Sequence, residues 1–279
     1  MANTLVQDLI EAGIHFGQRA SGWNPKMGAY IYGKRNGIHI IDIKETVKGL
    51  LLAKKFIAKT VASGKDVVFV GTKRQSKSVL EQRVGDAKMH YVTERWLGGT
   101  LTNFRTIRLR LKRLEELEAI QTADNFASYS KKMESQLKRE LAKIKRNLDG
   151  IRKMEKLPGA LVVIDVKHEV TALKEARKLG IPTIALIDTD GDPELVDIPI
   201  PGNDDSMKSI DVVVRELCLA VVDGKSARQI NGENPSSGGG DDASGPGRGD
   251  QQRRSSRRPA TRASEIATQE VPEGASAAQ

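Results

Sequence analysis

Cysteine is nearly absent from this 279-residue chain; Cys218 stands alone. A disulfide framework is excluded, as is a zinc site built on cysteine pairs. Cys218 lies in the apolar run Leu217-Cys218-Leu219-Ala220-Val221-Val222, where a small core residue is expected. Histidines are few, and His15, His39, His90 and His168 show no close-paired ligand spacing. No Gly-x-Ser-x-Gly elbow occurs, which removes the usual signal of a serine hydrolase. No apolar run approaches the roughly 20 residues that span a bilayer. The opening Met1-Ala2-Asn3-Thr4 lacks the charged-then-apolar layout of a leader. A cytoplasmic protein without membrane attachment is expected. Acidic residues are also outnumbered. With 45 Lys and Arg against 36 Asp and Glu, the net charge is +9. Such a surplus points to an acidic partner.

The chain is long enough for a sizeable core. A short helix over Thr4 to Ala12 is expected, stopped at Gly13, and then a loop through Gly17, Gly22 and Asn24-Pro25. Tyr30–Gly33 and Ile38–Asp42 flank Lys34-Arg35-Asn36-Gly37, and Asn-Gly between β-prone runs predicts a hairpin with a basic tip. Lys44 to Ser63 carries apolar residues at helical spacing. Val67–Val70, Ala160–Val166 and Thr183–Asp188 are short continuous apolar runs, typical of strands buried on both faces. Met89–Val92 is a further strand-like run, and Ile198-Pro199-Ile200-Pro201 reads as an edge strand because proline cannot donate to a ladder. Helices are expected from Lys167 to Leu179 and from Ser206 to Val222. Strand and helix alternate, which predicts an α/β fold with a parallel sheet and helices on both faces.

Two long charged helices, Leu101 to Ile120 and about Ser128 to Met154, interrupt that alternation. Leu137, Leu141, Ile144, Leu148 and Ile151 step by four and three, the pattern of a coiled-coil seam. Phe104, Ile107, Leu111, Leu114 and Leu117 make a matching stripe. The expected organisation is an α/β domain from 1–100 and 156–225, with an inserted antiparallel helical hairpin at 101–155. Two narrow stripes bury little, so the hairpin is expected to project. A disordered tail is expected over 226–279, rich in Gly, Ser and Arg and too poor in apolar residues to fold.

Arg95-Trp96-Leu97-Gly98-Gly99-Thr100-Leu101-Thr102-Asn103-Phe104-Arg105 is the stretch where core gives way to contact surface. Glycines allow close backbone approach, and Arg suits phosphate. Behind it, Arg105, Arg108, Arg110, Lys112 and Arg113 cluster before acidic residues begin at Glu115. Lys34, Arg35, Lys73, Arg74, Arg95, Arg105, Arg108, Arg110 and Arg113 are the expected phosphate contacts, with Asn103 beside them and Trp96 for packing or stacking. Gly71-Thr72-Lys73-Arg74-Gln75-Ser76-Lys77-Ser78 departs from the phosphate-loop pattern, because Ser76 stands where the second glycine belongs. It remains a basic helix start suited to an anion.

Asp188, Asp204 and Asp205, with His15, are candidate ligands of a structural divalent cation; otherwise they cap loops and the last helix. No cofactor is required. The loop Asp188-Thr189-Asp190-Gly191-Asp192 resembles the nucleophile loop of haloacid-dehalogenase-like phosphatases, but Asp192 replaces the expected Thr or Val. An Asp188-dependent phosphatase-like enzyme is therefore the rival reading to a non-catalytic protein.

Six segments carry a more specific resemblance: Ala12–Gly17, Trp23–Met27, Arg35–Asp42, Phe69–Arg74, Arg95–Phe104 and Ile200–Asp205. In this order they resemble the bacterial small-subunit ribosomal protein two family from about Thr4 to Gly224. The resemblance implies a flavodoxin-like domain with an inserted coiled-coil hairpin. It implies a structural, non-enzymatic role in the small ribosomal subunit, bound to small-subunit rRNA and neighbouring ribosomal proteins. One of those neighbours is ribosomal protein one, which captures messenger RNA. It does not imply a homo-oligomer. Gln18-Arg19-Ala20-Ser21-Gly22 departs from the family pattern of His then Gln after Phe16-Gly17, with basic residues before the Trp, and the tail is not part of the shared pattern.

Overall fold

The computed structural model describes residues 2–122 and 130–233. In chain order the first elements are α1 (Ala2–Glu11), β1 (Phe16–Arg19), β2 (Ile31–Arg35), β3 (Ile38–Ile41) and α2 (Ile43–Ala62). Then come β4 (Val67–Val70), α3 (Arg74–Asp86), β5 (His90–Val92), α4 (Phe104–Thr122) and α5 (Lys131–Leu148). The chain closes with β6 (Ala160–Ile164), α6 (Val170–Leu179), β7 (Thr183–Ile187), β8 (Ile198–Pro201) and α7 (Met207–Glu233).

Five strands make an all-parallel sheet in the order β5-β4-β6-β7-β8. That is the order of flavodoxin-like sheets, in which the chain winds first one way from β4 and then the other. β4, β6 and β7 are buried at every position. Alternate residues feed two separate cores, as a period of two requires. Val67, Phe69, Val162, Ile164, Ile184 and Leu186 pack against α2, α3 and α7. Val68, Val70, Leu161, Val163, Ala185 and Ile187 pack on the other face with α4, α5 and α6. β8 is the edge, where Pro199 and Pro201 do least harm to the ladder. There α2 lies close against the strand because it has no side chain at Gly49. A Cβ at that position would stand 2.4 Å from the Pro199 carbonyl oxygen. Cys218 is buried in the first core, and burial pushes its thiol up to about 12.

A second, three-stranded antiparallel sheet has the order β1-β3-β2. The expected hairpin is there, with Asn36 at φ +50° and Gly37 at φ +77° in its turn, the two left-handed residues a tight hairpin needs. β1 falls in the expected loop. Its Phe-Gly-Gln-Arg sequence shows no alternation, and pairing with β3 makes it a strand.

Ile107, Leu111, Leu114 and Leu117 of α4 are buried in one cluster with Leu137, Ile144 and Leu148 of α5 and with Val68, Val70 and Val163 of the sheet. The two stripes bury each other, and their cluster is continuous with the second core. Arg113 of α4 lies 3.6 Å from Glu140 of α5, and Glu118 lies 2.5 Å from Arg152 beyond it. The expected turn between the helices falls at 123–129, outside the described residues.

α7 continues past the expected boundary at 226 to Glu233. Tertiary contacts outweigh the local composition. Lys225 donates to the carbonyls of Ala87 and Lys88 at 2.7 and 3.1 Å, and Gly224 packs against Ala58 and Val61 of α2. The rest of the expected tail, 234–279, lies outside the described residues.

Candidate nucleic-acid interface and the carboxylate cluster behind it

The winding reverses between β4 and β6, so a crevice opens beyond their carboxyl ends. Each strand delivers a charged residue there. Lys73 follows β4, Asp165 follows β6, Asp188 follows β7, and Asp204 and Asp205 follow β8. The Lys73 ammonium lies 2.7 Å from Asp165, 2.8 Å from Asp204 and 2.9 Å from Asp205. Burial works against its charge, but these carboxylates prevail and hold its pKa above the ordinary value. One ammonium cannot neutralise so many carboxyls. Burial, with Asp165 nearby, pushes Asp204 up to about 8, even against Lys73. Burial likewise pushes Asp188 up to about 6, opposed by the Thr189 backbone N–H. Asp205 is less buried, and Lys73 and Gln18 hold it below the usual range against its partial burial.

Gln18 of β1 completes the cluster. Its backbone N–H donates to Asp188 at 3.2 Å, and its side-chain amide donates to Asp205 at 2.5 Å. Asp188, Asp204 and Asp205 can each turn one oxygen to a common point, the oxygens lying within 4.8 Å of one another. The structure brings these three predicted ligands together but not His15, which lies outside the group. Asp188 is 2% exposed and already accepts hydrogen bonds from Gln18 and Thr189. It offers little approach to a phosphate ester.

The second construction is the loop between β5 and α4. Glu175 of α6, 8% exposed, reaches into it. Its carboxylate accepts from Trp96 Nε1 at 3.1 Å and from the backbone N–H groups of Gly99, Leu101 and Thr102 at 2.8, 3.0 and 3.2 Å. Those donors outweigh the effect of burial and lower its pKa. Gly99 makes the turn at φ +91°. Trp96 is a core residue, 7% exposed, so its ring packs and presents no open face for a base. Sequence reasoning missed Glu175, which looks like one more solvated charge in Lys174-Glu175-Ala176-Arg177.

The predicted phosphate contacts divide into two groups. Lys34, Arg35, Arg74, Arg95, Arg105 and Arg110 are exposed, and none forms an ion pair among the described residues. Lys34 and Arg35 stand at the hairpin tip, Arg74 opens α3, and Arg105 and Arg110 lie on the first turns of α4. Asn103 is exposed beside them and accepts from the Thr106 hydroxyl at 2.8 Å. The other group is engaged internally. Lys73 holds the carboxylate cluster. Arg108 donates to the Met154 carbonyl at 3.1 Å. Arg113 pairs with Glu116 at 3.1 Å and Glu140 at 3.6 Å.

Comparison with known proteins gives the family. Residues 9–224 match the family model described as Ribosomal protein S2. A protein of Rhodopirellula baltica named small ribosomal subunit protein uS2 is 55% identical over 229 residues, which is 82% of this chain and 88% of that one. Proteins of the same name from Syntrophobacter fumaroxidans and Synechocystis are each 45% identical, over 225 and 218 residues. These alignments cover 81% and 78% of this chain and 82% and 81% of the relatives. A match that runs from α1 into α7, through both sheets and the paired helices, places this chain in the ribosomal protein S2 family.

Proposed function

We infer that this chain is a structural constituent of the small ribosomal subunit and that it holds small-subunit rRNA through its exposed cations. The observation that carries the RNA contact is the set Lys34, Arg35, Arg74, Arg95, Arg105 and Arg110, all exposed with no carboxylate on them among the described residues. Unpaired arginines on loops and helix starts suit the phosphate exterior of folded RNA. A-form RNA hides its major groove, so shape and phosphate are read rather than sequence. The α/β domain serves as a rigid platform in the cytoplasmic ribosome. The buried seam of α4 and α5 supports their assignment as an inserted coiled-coil hairpin. Family membership supports neighbouring ribosomal proteins as partners, ribosomal protein one among them, and a single copy rather than a homo-oligomer.

The role is non-catalytic: the family is not one of enzymes, and Asp188 is sealed by its own hydrogen bonds. No cofactor is required for this role, and Lys73 supplies positive charge to the carboxylate cluster. A divalent cation at Asp188, Asp204 and Asp205 would compete with that ammonium. The test of the RNA role is binding of the full chain to small-subunit rRNA across a salt series. Affinity falls steeply with salt, and Arg105→Ala with Arg110→Ala weakens it. Binding that ignores salt would sink the reading.

A further inference from the structure

Asn36-Gly37 closes the basic hairpin, and the pair carries a chemistry of its own. Both residues are exposed. The register joins Arg35 to Ile38, so the loop consists of these two residues alone. In such a loop the ladder uses the amides of the flanking residues and leaves the Gly37 N–H outside it. The Asn36 carboxamide has no hydrogen-bond partner among the described residues. Nothing stands within 4 Å of the place a Gly37 Cβ would take. A nucleophilic nitrogen, an electrophilic carbonyl and open space therefore meet at one turn. Other asparagines lack one of the three. Asn24 precedes Pro25, whose nitrogen carries no proton. The Asn203 side chain is held by the Asp205 and Ser206 N–H groups at 2.9 and 3.1 Å. Asn231-Gly232 repeats the dipeptide inside α7, where amides are already committed to the preceding turn.

Charge favours the step. Lys34 and Arg35 precede the turn, exposed and without an ion pair among the described residues. Two cations beside the loop stabilise the anion formed when hydroxide takes the Gly37 amide proton. The Gly37 nitrogen then attacks the Asn36 Cγ. The N–Cγ bond forms, the Cγ–Nδ2 bond breaks, and ammonia leaves with a proton taken from water, which restores the hydroxide. Water opens the resulting cyclic imide. Cleavage of the new N–Cγ bond leaves an aspartate at position 36. Cleavage of the original peptide bond leaves an isoaspartate, with an extra carbon in the main chain. The sum is one water consumed and one ammonia released.

We propose that Asn36 is a deamidation site, and that its conversion weakens the hold of the hairpin on RNA as the protein ages. The second half rests on the rRNA-binding reading. A carboxylate at position 36 is ionised at neutral pH, and beside Arg35 it competes with phosphate. The isoaspartyl form also lengthens a loop whose length sets the strand register. The Gly37 carbonyl accepts from the Ala20 N–H at 2.9 Å, so a change in the turn reaches the end of β1. The test ages the full chain in warm, mildly alkaline buffer. Mass spectrometry of its peptides should find the one bearing Asn36 heavier by the difference between a carboxyl and a carboxamide, and sooner as hydroxide rises. An isoaspartate-specific methyltransferase with labelled S-adenosylmethionine should mark the same peptide. Aged protein should bind small-subunit rRNA more weakly than fresh protein, with a salt slope lower by about 0.7–0.9. Asn36→Asp should reproduce that slope without ageing. Asn36→Gly blocks the reaction and suits the turn, since Gly-Gly takes the same left-handed conformations; its affinity should survive ageing. Asn36 left intact in the folded chain, while a synthetic peptide from Tyr30 to Asp42 deamidates, overturns the site. Conversion with rRNA binding unchanged, or an equal loss on ageing in Asn36→Gly, overturns its consequence. Any of these leaves the broader rRNA reading standing if Arg105→Ala with Arg110→Ala still weakens rRNA binding. That reading falls separately, if fresh protein shows no salt-dependent rRNA binding.

Discussion

Lys73 and Arg105 look alike in the sequence, each a cation beside a helix start, yet the fold uses them in opposite ways. Lys73 is drawn inward onto Asp165, Asp204 and Asp205. Arg105 stays exposed without an ion pair among the described residues. What separates them is topology. The sheet gathers the ends of β4, β6, β7 and β8 at one edge, so the residues that follow those strands must neutralise one another. α4 leaves that edge, and its first turns meet no carboxylate. One group therefore holds the domain together and the other is left exposed.

The contrast can be tested by moving stability and RNA affinity separately. The largest expected effect is on the loop side of the core. Glu175→Ala strips the acceptor from Trp96 Nε1 and three backbone N–H groups, which should cost about 3 kcal/mol or more in urea unfolding. A loss under about 1 kcal/mol would mean water replaces the carboxylate, and the loop is not held as described. Next, Lys73→Met leaves several carboxylates without their cation and should cost about 3 kcal/mol. It should leave the salt slope of rRNA binding unchanged, and a chelator should not shift the melting temperature of the wild type. A changed slope would place Lys73 among the contact residues and erase the distinction.

A smaller effect concerns pH. Asp204 and Asp188 have folded pKa values of about 8 and about 6, above the ordinary aspartate value of 3.8. Between about pH 4 and pH 8 the folded state therefore binds more protons than the unfolded one, and stability from these groups declines as pH rises. Asp204→Asn should flatten that decline in unfolding curves taken from about pH 5 to pH 8. An equally steep decline in the variant would exonerate Asp204. The smallest effect on stability belongs to Arg105→Ala with Arg110→Ala, expected within about 0.5 kcal/mol. Its affinity for rRNA should nevertheless fall, with a salt slope lower by about 0.7–0.9 for each phosphate left without its cation. Destabilisation without a change in slope would invert the comparison.

The sheet was legible because buried parallel strands are written as continuous runs such as Val67–Val70, and the hairpin because Asn36-Gly37 can take the left-handed conformations its turn requires. β1 was not legible, since its pairing with β3 comes from outside its own four residues. The end of α7 was hidden by composition, because the contacts of Lys225 lie at Ala87 and Lys88. The same distance hid the internal roles at the site. Asp204 is 131 residues from Lys73, and Glu175 is 76 residues from Gly99. A local window shows Lys73 as a free cation and Glu175 as surface charge. Exposed residues are easier to read, since an arginine with no acid near it in sequence often has none near it in space, as at Arg105 and Arg110.

The register of the central strands has a bearing on how the chain is born. Val67 of β4 pairs with Ala160 of β6, so the middle of the sheet cannot zip until both paired helices have left the ribosome that makes them. At roughly 5–20 residues per second that is a wait of several seconds. During it β4 has β5, which arrives early, as its neighbour on one side, and its other edge is open. A nascent protein that must guard an unpaired edge for that long is a natural client for chaperones, and slower translation across residues 101–159 would lengthen its exposure.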